Sequence, residues 1–275
     1  MARKGLIRIA GFVVLLFSLA GCLEISTIVS VKPDGTGTVS EQMLMSKSSF
    51  GEMFLTDGEK KGQSGQLPGK EAFEKKSLGM GEGVHFVSVR PIVTKTQAGY
   101  EAIYSFRDIN LLQVNSAPDN GVSADSTSGG EQSLKKKKEY VRFFLKEGSP
   151  SRLVIVGDQA KKASLSGSPD AVKPHQNAQQ VKMAIRIMRE FLKGMRVFMA
   201  VDVNGSILST NATYRKENRV TLMDVNFDKL LANPRQFASF AALGSDPSFG
   251  EMQKILKKIP GIKLEMQKEV AVTFQ

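Results

Sequence analysis

Few residues of this chain belong to the types that carry out chemistry, and one cysteine stands out among them. Cys22 is the only cysteine in 275 residues, and it lies at the end of an apolar run in the stretch VVLLFSLAGCLEIS. A lone thiol can act as a nucleophile, ligate a metal, pair in a disulfide or be modified. Its neighbours, an apolar run and then small residues, favour modification.

The segment before Cys22 has the three parts of an export signal. Arg3, Lys4 and Arg8 make the start basic without any acidic residue, 9–20 is apolar, and small residues follow. A transmembrane helix needs about 20 predominantly apolar residues, which is more than this run provides. The pattern therefore predicts a signal peptide and argues against a membrane span.

The four residues Leu19, Ala20, Gly21 and Cys22 resemble the lipobox of bacterial lipoproteins. In that class the cysteine sulfur receives diacylglycerol, the signal is cut just before the cysteine, and the new amino group is usually acylated. The resemblance implies that Cys22 is the lipidation site and that residues 1–21 are removed. Two or more acyl chains hold a protein stably on a membrane, whereas one does so only marginally.

The resemblance also implies a location in the cell envelope, facing the periplasm. In enterobacterial lipoproteins, Asp after the lipidated cysteine retains the protein in the inner membrane. Leu23 and Glu24 follow Cys22 here. The outer membrane is therefore expected if the organism has one.

The composition predicts a folded and basic protein. Residues 1–21 carry three basic and no acidic residues, so their removal lowers the formal net charge from +11 to +8. The remaining residues, 22–275, are enough for one large domain or two small ones. With Cys22 lipidated no thiol is left for a disulfide, so the fold must be stabilised by its core. We predict one extracytoplasmic domain over 22–275.

Alternating apolar residues and tight turns indicate a protein rich in β-hairpins. The stretches 23–31 and 38–45 alternate on either side of a turn that contains Pro33, Asp34 and Gly35. Proline fixes one turn angle and glycine permits positive φ, so this pair is predicted to form a hairpin. A hairpin at this point would follow Cys22 almost immediately.

A second group of strands is predicted near the C-terminus. Asn204-Gly205 is the strongest short hairpin signal in the chain, and it would join a strand over 197–203 to a return strand over 206–214. A third strand over 220–225 would complete a meander. Alternation from 262 to 274 predicts one long final strand.

Helical spacing of apolar residues is clearest over 178–192 and recurs over 227–231, 237–241 and 247–259. We therefore predict an α+β fold, with antiparallel sheet or sheets built from hairpins and meanders and packed with a few amphipathic helices. Low-complexity composition predicts flexible insertions near 58–70, 115–138 and 159–175.

The residue types that catalysis needs are scarce. His85 and His175 are the only histidines, and no spacing brings them together as metal ligands or as a general base with its partner. Paired carboxylates could serve a cell-wall hydrolase, and four acids lie near predicted strand or helix ends. These acids are Asp108, Asp202, Asp224 and Asp228. We expect no enzyme activity, cofactor or metal.

Runs of lysine offer a binding surface of another kind. Lys135, Lys136, Lys137 and Lys138 form four consecutive positive charges. Nucleic acid is not an expected partner for an exported protein. Anionic lipid headgroups are compatible with such a run, and solvated loop charges are the alternative.

Two stretches resemble the LppM-like lipoproteins. They are CLEISTIVSVKPDGTGTVSEQMLMS and VDVNGSILSTNATYRKENRVTLMDVNFDKLL. The resemblance implies an α+β domain with antiparallel sheet and suggests binding of envelope lipid or glycolipid. We therefore expect a membrane-anchored protein with a non-enzymatic binding or assembly role. The alternatives are a module that docks other envelope proteins and, third, a cell-wall hydrolase.

Overall fold

The chain folds mainly as β-strands in the computed structural model, which describes residues 23–47, 68–115, 140–157, 183, 186–187, 189–190, 192–241 and 254–275. The strands are β1 Glu24–Val31, β2 Gly37–Ser46, β3 Val84–Val93, β4 Gln97–Phe106, β5 Gln113–Asn115, β6 Tyr140–Lys146, β7 Ser151–Gly157, β8 Arg196–Val203, β9 Ile207–Thr210, β10 Arg215–Lys216, β11 Arg219–Asn226, β12 Lys263–Leu264 and β13 Glu269–Phe274. The helices are α1 Lys70–Leu78, α2 Phe227–Leu231 and α3 Pro234–Ala241, and a 3₁₀ turn covers Ile109–Leu111.

These strands form two sheets. The order in the larger sheet is β10-β11-β8-β1-β2-β4-β3, and β12 pairs with β11. The order in the smaller sheet is β5-β6-β7-β13-β9. The sheet-rich α+β class expected from the sequence is therefore present in the described residues.

The first hairpin forms as predicted. β1 and β2 pair antiparallel from Glu24 opposite Leu44 to Val31 opposite Gly37. In the turn, a carboxylate oxygen of Asp34 accepts hydrogen bonds from the backbone N–H of Thr36 at 3.0 Å and from its hydroxyl at 2.8 Å. These two bonds lower the pKa of Asp34 below its ordinary value, because they stabilise the charged carboxylate.

The larger sheet is mixed, which corrects the expectation of purely antiparallel pairing. β1 pairs with β8 in parallel, with Glu24 beside Arg196 and Val31 beside Val203. Parallel neighbours need a long crossover between them, and here more than 160 residues of chain separate the two strands. Hairpin signals report only on neighbouring strands, so they did not indicate this pairing.

The predicted hairpin at Asn204-Gly205 is wrong, although the turn itself exists. β9 pairs with β13 in the smaller sheet, while β8 pairs with β11 in the larger one. The N–H of Asn204 donates to the carbonyl of Val31 at 2.7 Å, and the N–H of Ser206 donates to the carbonyl of Gln275, also at 2.7 Å. The turn therefore carries the chain from one sheet to the other.

The single long final strand is also wrong. The chain forms β12 in the larger sheet, leaves it at Glu265, and then forms β13 in the smaller sheet. Glu265 is buried, and its carboxylate accepts hydrogen bonds from the N–H groups of Thr213 at 2.6 Å, Met266 at 2.9 Å and Gln267 at 3.1 Å. The backbone N–H groups at the point where the chain changes sheet therefore have an acceptor in Glu265.

The two sheets share one hydrophobic core. Val39 and Tyr104 of the larger sheet belong to the same buried cluster as Phe143, Leu153 and Phe274 of the smaller sheet. The helix α1 covers another part of this core. Its Phe73 lies 5.5 Å from Phe86 and 5.1 Å from Tyr100, measured between ring centroids.

Several predicted elements fall partly outside the described residues. Of the helix predicted over 178–192, residues 183, 186, 187, 189, 190 and 192 are described and helical. Of the predicted 247–259 helix, 254–256 are helical. The predicted insertions lie outside the described residues, except for 68–70, where Lys70 begins α1, and for Asn115, which ends β5. Within the described part of the chain, no helix is long and apolar enough to cross a membrane.

Candidate functional site

The residues that the sequence singled out for lipidation lie outside the described part of the structure. These residues are Leu19, Ala20, Gly21 and Cys22. The lysine run also lies outside the described residues, and it consists of Lys135, Lys136, Lys137 and Lys138. What the structure does describe is the chain from Leu23 onward. The surroundings of Leu23 therefore show how the fold holds the segment that follows the cysteine.

Leu23 and Glu24 lie at the end of the larger sheet where β1 begins. We call this end the amino-terminal edge and define it by Leu23, Glu24, Arg196 and Asn226. The term refers to the ends of the strands, since β1 itself is an inner strand of the sheet. The carbonyl of Leu23 accepts a hydrogen bond of 2.8 Å from the backbone N–H of Arg196. Glu24 pairs with Leu44 of β2 on one side and with Arg196 of β8 on the other. The chain is therefore held by β8 at Leu23 and lies between two strands from Glu24 onward.

Side-chain charges reinforce this edge. The Arg196 guanidinium contacts Glu24 at 3.2 Å through Nη1 and Asp224 at 3.1 Å through Nε. The hydrogen bond to Asp224, together with the attraction of Asp224 and Glu24, raises the pKa of Arg196 against the opposing effect of burial. The arginine thus joins β1, β8 and β11 through a charge that persists at every physiological pH.

A second arginine pair lies further along the same strands. Arg219 binds both carboxylate oxygens of Asp202, at 2.6 and 2.7 Å, and this contact raises its pKa. Phe198 lies near both guanidinium groups, with its ring centroid 5.7 Å from Cζ of Arg196 and 6.0 Å from Cζ of Arg219. The charges on this stretch of the sheet are therefore matched internally and are engaged in holding the strands together.

Helices gather at the amino-terminal edge, and we call them the helical end, defined as the described residues of 183–195, 227–241 and 254–263. A second hydrophobic cluster holds them together. Its buried members are Leu192, Val225, Leu230, Leu231, Phe237, Leu256, Ile259, Ile262 and Leu264. This cluster forms a small core of its own beside the edge of the sheet.

Two hydrogen bonds join segments of the helical end to each other, and a third joins the helical end to Asn226 of the amino-terminal edge. The N–H of Phe227 donates to the carbonyl of Met195 at 2.9 Å, and the N–H of Gly194 donates to a carboxylate oxygen of Asp228 at 2.8 Å. Asn226 accepts from the N–H of Asp228 at 2.9 Å and so caps α2. Because Arg196 follows Met195 directly, the helical end and Leu23 lie on the same side of the molecule.

The helical end is strongly basic. Its described residues include nine basic and two acidic side chains. The basic residues are Arg186, Arg189, Lys193, Lys229, Arg235, Lys254, Lys257, Lys258 and Lys263, and the acidic residues are Glu190 and Asp228. Such an imbalance on one side of a protein attracts anionic surfaces.

An open depression lies between the helix that leads into β8 and α2. Its volume is about 530 Å³, and four of its six lining residues are charged. The lining residues are Arg189, Glu190, Lys193, Asp228, Leu231 and Ala232. Its arginine and lysine could bind a phosphate or carboxylate group, although Glu190 and Asp228 also face the same space.

A smaller space lies between the two sheets. Its volume is about 70 Å³, and Met199, Met223, Ile155 and Val270 are among its walls, with Glu265 at one side. Pockets for small ligands usually enclose about 300 Å³ or more. At this point the sheets pack too closely to hold an acyl chain.

The residues considered for catalysis are in separate structural positions. His85 is exposed on β3, and His175 lies outside the described residues. Asp202 and Asp224 pair with arginines, as described above. Asp108 caps the 3₁₀ turn by accepting from the N–H of Asn110 at 2.8 Å, and Asp228 holds Gly194. Among the described residues, no three His, Cys, Asp or Glu side chains are grouped as a metal site.

Sequence reasoning did not identify the helical end as a basic surface. The Lys257-Lys258 pair is visible in the sequence, as is the three-and-four spacing of Arg186, Arg189 and Lys193. These segments are separated by about 60 residues of chain, so only the fold brings them together. In the sequence, the run from Lys135 to Lys138 stands out instead as a candidate contact for anionic lipid, because its four lysines are contiguous.

Comparison with known proteins gave one distant structural neighbour. No protein-family model matches the chain, and neither does any curated protein. The chain is similar to the NMR structure of the folded domain of LppM from Mycobacterium tuberculosis, with 10% sequence identity and a TM-score of 0.33. The alignment covers 92% of this chain and 91% of that one. These values establish neither a shared fold nor a shared function.

Proposed function

We propose that this protein is a bacterial envelope lipoprotein, anchored through Cys22, with a non-enzymatic binding role at the membrane surface. One observation supports the proposal above the others. Leu23 and Glu24, which directly follow the cysteine of the lipobox-like sequence, are fixed by Arg196 at the beginning of β1, an inner strand of the larger sheet. A lipid on Cys22 would therefore hold the folded domain against the bilayer.

The length of chain available makes this arrangement close. Only Leu23 separates Cys22 from the start of β1. An extended residue spans about 3.3–3.6 Å, so the anchor and the sheet are separated by less than about 8 Å. The amino-terminal edge and the helical end would then face the headgroups. The β1–β2 turn would lie farther from the bilayer by about 25 Å, which is the length of β1.

The four acids that a hydrolase could have used favour a non-enzymatic role. Asp202 and Asp224 are paired with arginines, while Asp108 and Asp228 accept hydrogen bonds from backbone N–H groups. A general acid and a general base would have to face the same substrate.

The proposed location is the cell envelope. The residues that follow Cys22 are Leu23 and Glu24, and neither is the Asp that retains lipoproteins in the inner membrane. This favours the outer membrane in an organism that has two membranes.

A second candidate function is docking of another envelope protein through β3. This strand lies at an edge of the larger sheet, and the side chain of Val93 is 69% exposed. An added strand could pair with such an edge. Pro91 lacks an N–H and limits where that pairing could occur.

The anchor can be tested in cells. Cys22→Ala should move the protein from the membrane fraction to the soluble fraction and abolish incorporation of labelled palmitate. Ser18→Ala is the matched control, since it changes the same segment but leaves the lipobox-like residues intact. Membrane attachment that survives Cys22→Ala would disprove the anchor.

The orientation can be tested on the reconstituted lipoprotein. A donor fluorophore on an introduced cysteine at Ile187 should transfer energy to a membrane dye more efficiently than one at Lys146, which lies near the β1–β2 turn. A ten-residue Gly/Ser linker between Cys22 and Leu23, with a mean span of about 17 Å, should reduce the transfer from position 187. Equal transfer from both positions would contradict the orientation.

A further inference from the structure

The helix that leads into β8 has a basic stripe on its exposed side. Arg186, Arg189 and Lys193 follow one another at spacings of three and four, which places them along one side of a helix over about 10 Å. All three are exposed. Within the described residues, no ion pair involves any of them.

Two large apolar side chains are exposed on the same helix. Met183 is 66% exposed and Ile187 is 61% exposed. Their spacing of four places them together on one face, next to Arg186. Exposed apolar side chains beside basic ones are typical of helices that lie in the interface of an anionic membrane.

The charge of the helical end is not cancelled by the neighbouring sheet. The acids of the sheet at this end, Glu24 and Asp224, are already paired with Arg196. Glu190 and Asp228 are the two acids of the helical end, against nine basic residues. The excess positive charge is therefore available to an anionic partner.

We propose that the helical end binds the anionic phospholipid headgroups of the membrane that carries the protein. Arg186, Arg189 and Lys193 contact lipid phosphates, and Met183 and Ile187 insert among the headgroups. This inference rests on the proposed function, because the anchor brings the helical end to the bilayer. Each basic residue near an anionic surface strengthens membrane partitioning about fivefold, and salt screens the effect.

The full-length lipoprotein, reconstituted into vesicles, provides the test. With Cys22 lipidated, a cysteine introduced by Ile187→Cys is the only thiol that can carry a polarity-sensitive fluorophore. The vesicles contain phosphatidylcholine alone or phosphatidylcholine with phosphatidylglycerol. We expect a blue shift of emission in the anionic vesicles, no shift in the zwitterionic ones, and reversal of the shift by high salt.

Two charge variants separate the site from general electrostatics. Arg186→Gln, Arg189→Gln and Lys193→Gln together should abolish the shift. Lys32→Gln, Lys146→Gln and Lys216→Gln remove the same charge from exposed positions at the opposite end of the sheets and should retain it. Equal loss in both triple variants would show a nonspecific effect of net charge and overturn the proposal.

The outcomes also separate this inference from the anchor. Failure of the protein to float with zwitterionic vesicles would overturn the anchor. Flotation with both kinds of vesicle but no blue shift in the anionic ones would overturn the headgroup site and leave the helical end for a protein partner. A blue shift of equal size in both kinds of vesicle would show insertion without headgroup recognition, which also contradicts the proposal.

Discussion

The backbone N–H of Arg196 donates a hydrogen bond of 2.8 Å to the carbonyl of Leu23, although more than 170 residues separate them in the chain. This bond begins the parallel pairing of β1 with β8. It also places the start of the helical end beside the residue that follows the lipobox-like cysteine. The position of the proposed anchor and the position of the basic helices are thus determined by one strand pairing.

Replacing Arg196 with Gln should lower the free energy of unfolding by about 1–2 kcal/mol, because the change removes two ion pairs and leaves the carboxylates of Glu24 and Asp224 without their partner. Urea denaturation of the purified protein measures the effect. Arg90→Gln is the matched control. Its ion pair with Glu101 lies at an arginine that is 71% exposed, so it should cost no more than about 0.5 kcal/mol. Equal losses in Arg196→Gln and Arg90→Gln would show that the ion pairs of Arg196 stabilise the sheet no more than an exposed ion pair does.

Glu265→Ala should destabilise the protein by about 1–3 kcal/mol, because three backbone N–H groups and the Thr213 hydroxyl would lose the buried carboxylate that accepts their hydrogen bonds. Chemical denaturation measures this loss as well. Glu269→Ala removes a nearby exposed carboxylate and should be almost neutral. A neutral Glu265→Ala variant would mean that the crossing between β12 and β13 does not depend on this carboxylate.

Gly205→Ala should destabilise the fold by at least about 2 kcal/mol. Gly205 has φ of +147°, and a Cβ there would lie 2.2 Å from the carbonyl oxygen of Gln275. Thermal unfolding followed by circular dichroism is a suitable measurement. Gly157→Ala provides the comparison, since a Cβ at Gly157 has no neighbour within 4 Å. If both variants unfold at the parent temperature, the turn does not pass from one sheet to the other as described.

Asp34 should make the stability depend on pH in the acidic range. Its pKa is lowered in the folded state by the two hydrogen bonds from Thr36. The contribution of Asp34 is therefore complete above the pKa of the unfolded chain, near 4, and is lost as the pH falls through the lower folded value. The stability difference between the parent and Asp34→Ala should shrink between pH 5 and pH 2. A difference that stays constant would exclude this linkage.

The predictions from the sequence and the structure differ mainly in which distant strands pair with each other. The hairpin of β1 and β2 and the helices α2 and α3 were predictable, because turn residues and apolar spacing act over a few positions. The turn at Asn204-Gly205 was also real, since glycine is needed there. Its partner strand was predicted wrongly, because the two residues of a turn do not specify which strand will supply the next set of hydrogen bonds.

The sequence by itself determined the local elements and the lipobox-like residues at Cys22, since both depend on short-range patterns. The tertiary structure decided that β1 lies between β2 and β8, that the chain changes sheet at Gly205 and Glu265, and that Arg186, Arg189 and Lys193 share one end of the molecule with Lys257 and Lys258. These relationships depend on burying two sheets against each other and satisfying the backbone groups of each strand. That requirement acts on the whole chain at once, so no local pattern expresses it.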